Sequence, residues 1–156
     1  MNISSEMNFE DMLRVKLEVL KREHRDLDEA ISALELSGRP DQLTLRVTAA
    51  GICGSDLHLI GFGSLPVTLG HEIGGRLADG TPVAIWPARP CGECDRCLAG
   101  ATTQCRRGAA IDYGIGADGG MADAMVVDAR NVIPLPERVR PEDGALVEPI
   151  ACCVHA

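Results

Sequence analysis

GICGSDLHLIGFGSLPVTLGHE, residues 51–72, sets Cys53, the Ser55-Asp56 pair, His58 and His71 in a Gly-rich frame. Cys53 and His71 have seventeen residues between them, and both are soft or borderline ligands suited to zinc. Glu72 follows His71 directly. A zinc-bound His usually donates its second ring N–H to a carboxylate, and Asp56 is the natural candidate. Glu148, in ALVEPI, offers a third ligand from a distant part of the chain. Three protein ligands and one open position define a catalytic zinc. Ser55 and His58 then supply a hydroxyl and an imidazole able to pass a proton. Spacing alone leaves the plainer alternative open: a lone Cys is more often a small buried hydrophobe than a ligand, and a lone His is more often structural.

A second cluster has a far more specific spacing. CGECDRCLAGATTQC carries Cys91, Cys94, Cys97 and Cys105 with two, two and seven residues between them. Paired CxxC steps let thiolates converge on one tetrahedral ion, and the longer step closes the loop. Four Cys and no His suit a closed structural zinc site. Iron–sulfur clusters also use four Cys, but with other spacings. A closed site of this kind holds a loop and catalyses nothing.

Around these motifs the chain is mainly β after residue 42. LTLRVTAAGI (43–52) alternates as a strand does. Shorter strands are expected at 81–86 and 121–127, with turns at 78–80 and 116–120. Short strands joined by Gly-rich turns point to an irregular β-barrel. EDGALVEPIACCVHA (142–156) is expected to start a closing helix, with Cys153 and His155 as packing residues or frayed ends.

Residues 9–36 differ in kind. Leu13, Leu17, Leu20, His24, Leu27, Ile31 and Leu34 follow at spacings of four and three, a heptad seam on one long helix. Asn8 is a candidate N-cap, Glu10 and Asp11 sit in the favourable first turn, and Gly38 and Pro40 end the helix. His24 reads as a packed His on the seam. Such a helix needs cover from a second copy, another helix or its own domain.

Net charge, 15 minus 23 or −8, argues against the basic face of a nucleic-acid binder. No apolar run is long enough to span a membrane, and MNISSEMNFEDML lacks the basic start and apolar core of a signal peptide. A cytoplasmic location is therefore expected. The seven Cys should then be thiols or metal thiolates, not disulfides.

Taken in order, GICGSDLH, LGHE, PCGECDRCLAGATTQC and GALVEPIACCVHA resemble the zinc-dependent medium-chain dehydrogenase/reductase family of alcohol and polyol dehydrogenases, from about residue 43 to the end. The resemblance implies a GroES-like catalytic domain with two zinc sites. Cys53 and His71 inherit the catalytic zinc, and Glu72 lies beside the metal and can join its shell. The ALxEP segment resembles the polyol, sugar and threonine dehydrogenases, so Glu148 inherits the third-ligand role, ahead of Cys152 or Cys153. Ser55 and His58 match the proton relay, Asp56 the carboxylate behind the ligands, and the four spaced cysteines the structural-zinc lobe. The implied chemistry is reversible oxidation of a small alcohol or polyol to a carbonyl, with zinc as Lewis acid and NAD or NADP accepting hydride.

Two departures from that family stand out. No G-x-G-x-x-G lies between a strand and a helix, so no Rossmann domain and no nicotinamide-binding residue is expected in these 156 residues, and the chain alone is expected to be inactive. Residues 59–69 are expected to line the pocket, but they name no substrate. At the front, LKREHRDLDEAISALELSGRPDQLTLR (20–46) resembles the first helix and turn of the YdcH-like helical hairpins, over roughly residues 12–46. The chain is therefore expected to join two incomplete pieces, a helical segment 1–42 and a truncated zinc domain 43–156. A non-catalytic zinc-binding module, or an interaction protein acting through residues 9–36, are the alternatives.

Overall fold

The alternation at 43–52 is a strand, β1 (Gln42–Ala50), in a computed structural model that describes residues 9–36, 41–63 and 66–155. It lies in a five-stranded antiparallel sheet of order β4-β1-β2-β3-β5, with β2 at Ile73–Leu77, β3 at Pro82–Ile85, β4 at Ala124–Asp128 and β5 at Val132–Pro134. The strands expected at 81–86 and 121–127 are β3 and β4. Register explains the core. Leu43 pairs with Val127, and Leu45 with both Met125 and Leu77. Ile73 pairs with Ile85, and Val83 stands two residues away on the same face. These side chains and Tyr113 form one apolar cluster in which Leu45, Val83 and Val127 are wholly buried. The open sheet is the partial barrel that the resemblance implies.

β2 is invisible to a reading by alternation, because Gly74 and Gly75 take the place of patterned side chains. The reason is packing. A 3₁₀ turn, Pro141–Leu146, covers the opposite face of the sheet. A Cβ on Gly74 would lie 2.6 Å from the Pro141 carbonyl oxygen and 2.7 Å from the Ala145 nitrogen. Only glycine permits so close a backbone approach. β5 is short, edge-placed and ends in Pro134, which suits a position needing no further donor. The β1–β2 ladder slips between Val47 and Ala49. Beyond that bulge the chain stays paired, the Gly51 N–H donating to the Glu72 carbonyl at 2.8 Å. The sheet thus delivers Gly51 and Glu72 side by side.

The 3₁₀ turn runs straight into the closing helix, Val147–His155. The chain divides into two compact units, residues 1–38 and 39–156. The first contains α1 (Phe9–Leu36), matching the heptad span. Leu13, Leu17 and Leu20 on its seam are half exposed. Asn8, Gly38, Pro40 and the side chains of His24, Leu27, Ile31 and Leu34 lie outside the described residues. No helix among the described residues is long and apolar enough to cross a membrane.

Candidate metal centres

Nothing in the composition of residues 51–60 announces a helix, yet α2 (Gly54–Ile60) begins directly after Cys53. Asp56 sets its start. Its Oδ2 accepts the Cys53 N–H at 2.8 Å, satisfying one of the donors a helix start leaves open. Its Oδ1 accepts the Gly70 N–H at 3.3 Å and lies 3.5 Å from His71 Nδ1. Asp56 is wholly buried, which a carboxylate tolerates only when such groups surround it. One side chain therefore ties Cys53 to His71. The buried His71 Nδ1 has no hydrogen-bond partner of good geometry among the described residues. Cys53, His71 and Glu72 bring their ligand atoms within 4.8 Å of one another. Glu72 packs on Gly51, where any Cβ would collide with its Oε2.

A second device holds His71 from the other side. The Thr68 N–H donates to Asp118 Oδ1 at 2.8 Å. Gly119 N–H donates to the Thr68 carbonyl at 2.8 Å, Gly120 N–H to that of Gly70 at 2.8 Å, and Met121 N–H to that of Leu69 at 2.9 Å. Gly70 has φ +96°, a conformation that favours glycine. The turn expected at 116–120 is thus also a clamp on the segment carrying His71.

A cavity of about 510 Å³ opens beside His71, lined also by Ser55, Trp86, Ile133, Glu148 and Cys152. That volume suits a small-molecule site. Ser55 Oγ is 3.8 Å from Cys53 Sγ. A neighbouring cavity of about 440 Å³ shares Ser55 and adds His58, Leu59 and Phe62. His58 packs edge-on to Phe62, with centroids 6.2 Å apart. His58 thus faces the second cavity, and of residues 59–69 Leu59 and Phe62 line it. Glu148 lies in the first turn of α4 (Val147–His155) and borders the same cavity as His71, but stands outside the cluster of mutually close donors. Its Oε1 accepts the Cys152 thiol at 3.2 Å. That carboxylate pushes the Cys152 thiol up, favouring its protonated form. Cys153 is exposed. His155, set aside above as a terminal residue, lines the larger cavity; its place at the chain's end hid it.

The sulfurs of Cys91, Cys94, Cys97 and Cys105 also lie within 4.8 Å of one another. Cys91 and Cys97 Sγ are 3.9 Å apart; a tetrahedral zinc with ordinary Zn–S bonds sets sulfurs about 3.8 Å apart. The backbone N–H groups of Cys91, Cys94 and Cys97 point at the sulfurs of Cys105, Cys91 and Cys94, each at 3.4 Å. Backbone donors from Arg106 and Cys97 pull the Cys94 thiol down to about 6, while burial pushes Cys97 up to about 12. A short helix, α3 (Asp95–Leu98), starts at Cys94. None of the described cysteines forms a disulfide. Asn131, wholly buried, fastens the approach to this loop by donating to the Trp86 and Ala88 carbonyls at 2.6 and 2.8 Å. Arg89 stacks 4.8 Å over Tyr113 and bonds Asp128 at 3.2 Å. Neither Asn131 nor Arg89 belongs to a motif, so no spacing could have marked them.

Residues 39–137 match the alcohol dehydrogenase GroES-like domain. Galactitol 1-phosphate 5-dehydrogenase of Escherichia coli (strain K12) is 39% identical over 130 residues, 74% of this chain and 37% of that protein. The crystal structure of galactitol-1-phosphate dehydrogenase from Escherichia coli gives a TM-score of 0.68 at 37% identity, over 76% of this chain and 37% of that one. L-idonate 5-dehydrogenase (NAD(P)(+)) of Escherichia coli (strain K12) is 34% identical over 131 residues, 72% of this chain and 38% of that protein. A cobalt- and zinc-bound thermostable alcohol dehydrogenase from Pyrobaculum aerophilum gives 0.59 at 26% identity, over 69% of this chain and 36% of that one. The chain thus spans 36–38% of the length of these relatives. The matched residues hold Cys53, His71, Glu72 and all four spaced cysteines, and the chain belongs to the alcohol dehydrogenase GroES-like domain family.

Proposed function

We propose that this chain supplies the zinc site of a dehydrogenase that oxidises a polyol or sugar-derived alcohol to a carbonyl, with NAD or NADP as hydride acceptor. The observation that carries the reading is the convergence of Cys53, His71 and Glu72 within 4.8 Å, beside a cavity of about 510 Å³ that His71 lines. Thiol, imidazole and carboxylate together suit zinc. His71 turns Nδ1 toward Asp56, which leaves Nε2 for a metal. Glu148 is a further ligand, exchanging its hydrogen bond from Cys152 for the ion. The four spaced cysteines hold a second, structural zinc.

Zinc bound at Cys53 and His71 supplies a Lewis acid that lowers the pKa of an alcohol hydroxyl. The chain's own groups do the remaining work. Ser55, which borders both cavities, takes the hydroxyl proton at Oγ and passes it to His58. Trp86, Ile133 and Val147 wall the substrate space with apolar surface. The substrate class rests on the galactitol 1-phosphate and L-idonate dehydrogenases among the relatives. The described strands pair only antiparallel, so no role in holding the nicotinamide is assigned to them, and the chain by itself is proposed not to turn over. The reaction is assigned to the cytoplasm, where thiols stay reduced.

A zinc module without catalysis is the second reading. The four-cysteine group favours it, because that group closes on itself within residues 91–105. Elemental mass spectrometry on protein purified without chelator decides between them. About two zinc per chain are expected, falling to about one in Cys53→Ser. A single zinc in the unaltered chain, unmoved by Cys53→Ser, overturns the dehydrogenase site and leaves the module.

A further inference from the structure

α1 carries Leu13, Leu20, Leu27 and Leu34 at every seventh position, with Leu17, His24 and Ile31 between them. Taking the sevenfold leucines as heptad position d puts Leu17, His24 and Ile31 at a. Arg14, Lys21, Asp28 and Glu35 then occupy e, and Lys16, Glu23 and Ala30 occupy g. Leu13, Leu17 and Leu20 are 50%, 51% and 53% exposed, so the first half of the seam stands open. The helix, 28 residues long, carries three full heptads.

We propose that this seam is covered by α1 of a second copy of the chain, packed antiparallel. Charge selects both the partner and the direction. In a parallel pair, each g position faces the e position five residues further along the partner. That sets Lys16 against Lys21 and Glu23 against Asp28, like against like, and twifold symmetry repeats each clash. In an antiparallel pair the a and d layers bring Leu17 opposite Leu34, Leu20 opposite Ile31 and His24 opposite Leu27. Position e then faces e: Arg14 meets Glu35 and Lys21 meets Asp28, opposite charges at all four contacts of the symmetric dimer. At g, Glu23 meets Ala30, and Lys16 meets a position past Leu36. The parallel register would also set His24 against its own copy in the middle of the seam, whereas the antiparallel one gives each His24 a leucine neighbour. Lys21 is tied to Glu18 at 3.0 Å on the helix surface. An exposed pair of that kind is worth little and does not keep Lys21 from a new partner.

Sedimentation equilibrium of the full chain, with circular dichroism to confirm folding, tests the proposal. A dimer is expected that weakens as salt rises. Arg14→Glu places a carboxylate opposite Glu35 at both ends and should raise the dimer Kd about tenfold. Combining it with Glu35→Arg should restore the original Kd. Lys16→Glu separates the two directions: it leaves an antiparallel dimer unchanged but tightens a parallel one by removing the repulsion with Lys21. A monomer at every concentration, a tighter dimer in Lys16→Glu, or failure of the charge swap to restore association would each overturn the proposal.

Discussion

The two groups of candidate ligands reach the same closeness by opposite routes. The four cysteines come from one loop, residues 91–105, and their own backbone N–H groups point at their sulfurs. Cys53 and His71 instead depend on the bulge in β1, the buried Asp56 and the clamp between residues 68–70 and 118–121. A site closed locally needs little from the rest of the fold. A site assembled from separate segments inherits every weakness of the sheet beneath it. Loosening the fold should therefore release metal from Cys53 and His71 first.

That contrast can be broken most severely at the loop itself. Cys97→Ser should abolish zinc binding by the four-cysteine group, since a closed site needs all four ligands. Trypsin should then cut readily at Arg96, Arg106 or Arg107, while zinc stays at Cys53 and His71. Loss of both ions in that variant would show that the two groups are not independent. A smaller effect is expected from Asp56→Asn, which keeps the shape but removes the carboxylate facing His71. Chelator competition should report zinc held at Cys53 and His71 about 10–100-fold more weakly, with the other ion unmoved. Asp118→Ala, which deletes only the Thr68 contact, should weaken the same site by roughly two- to tenfold. If it instead loosens the cysteine-bound zinc, the clamp serves a different part of the molecule.

Much of this arrangement can be read from the residues alone. β1, β3 and β4 declare themselves because Leu43 and Leu45, Val83 and Ile85, and Met125 and Val127 alternate toward one face. Both groups of candidate ligands stand out because Cys and His are scarce enough for their spacing to mean something, and the fold brings each group together. β2 hides because the 3₁₀ turn above it excludes side chains at Gly74. α2 hides because its start depends on one capping carboxylate, not on helix-forming composition. The clamp hides for another reason: three of its four bonds join backbone to backbone, and the glycines that this close approach requires at 70, 119 and 120 read only as turn residues. Glu148 is legible as a candidate, but its hydrogen bond from Cys152 is visible only once the helix places them four residues apart on one side.

The clamp at Thr68 also governs how a lineage built on this fold can diversify. It anchors Thr68, Leu69 and Gly70, directly before His71, through residues 118–121 alone. Lengthening a surface loop costs free energy only logarithmically. Residues can therefore be inserted upstream of Thr68 without dragging His71 from its place. Phe62, just upstream, lines the cavity that contains His58. Insertions there can resize the pocket for a new ligand while the candidate metal ligands Cys53, His71 and Glu72 keep their places.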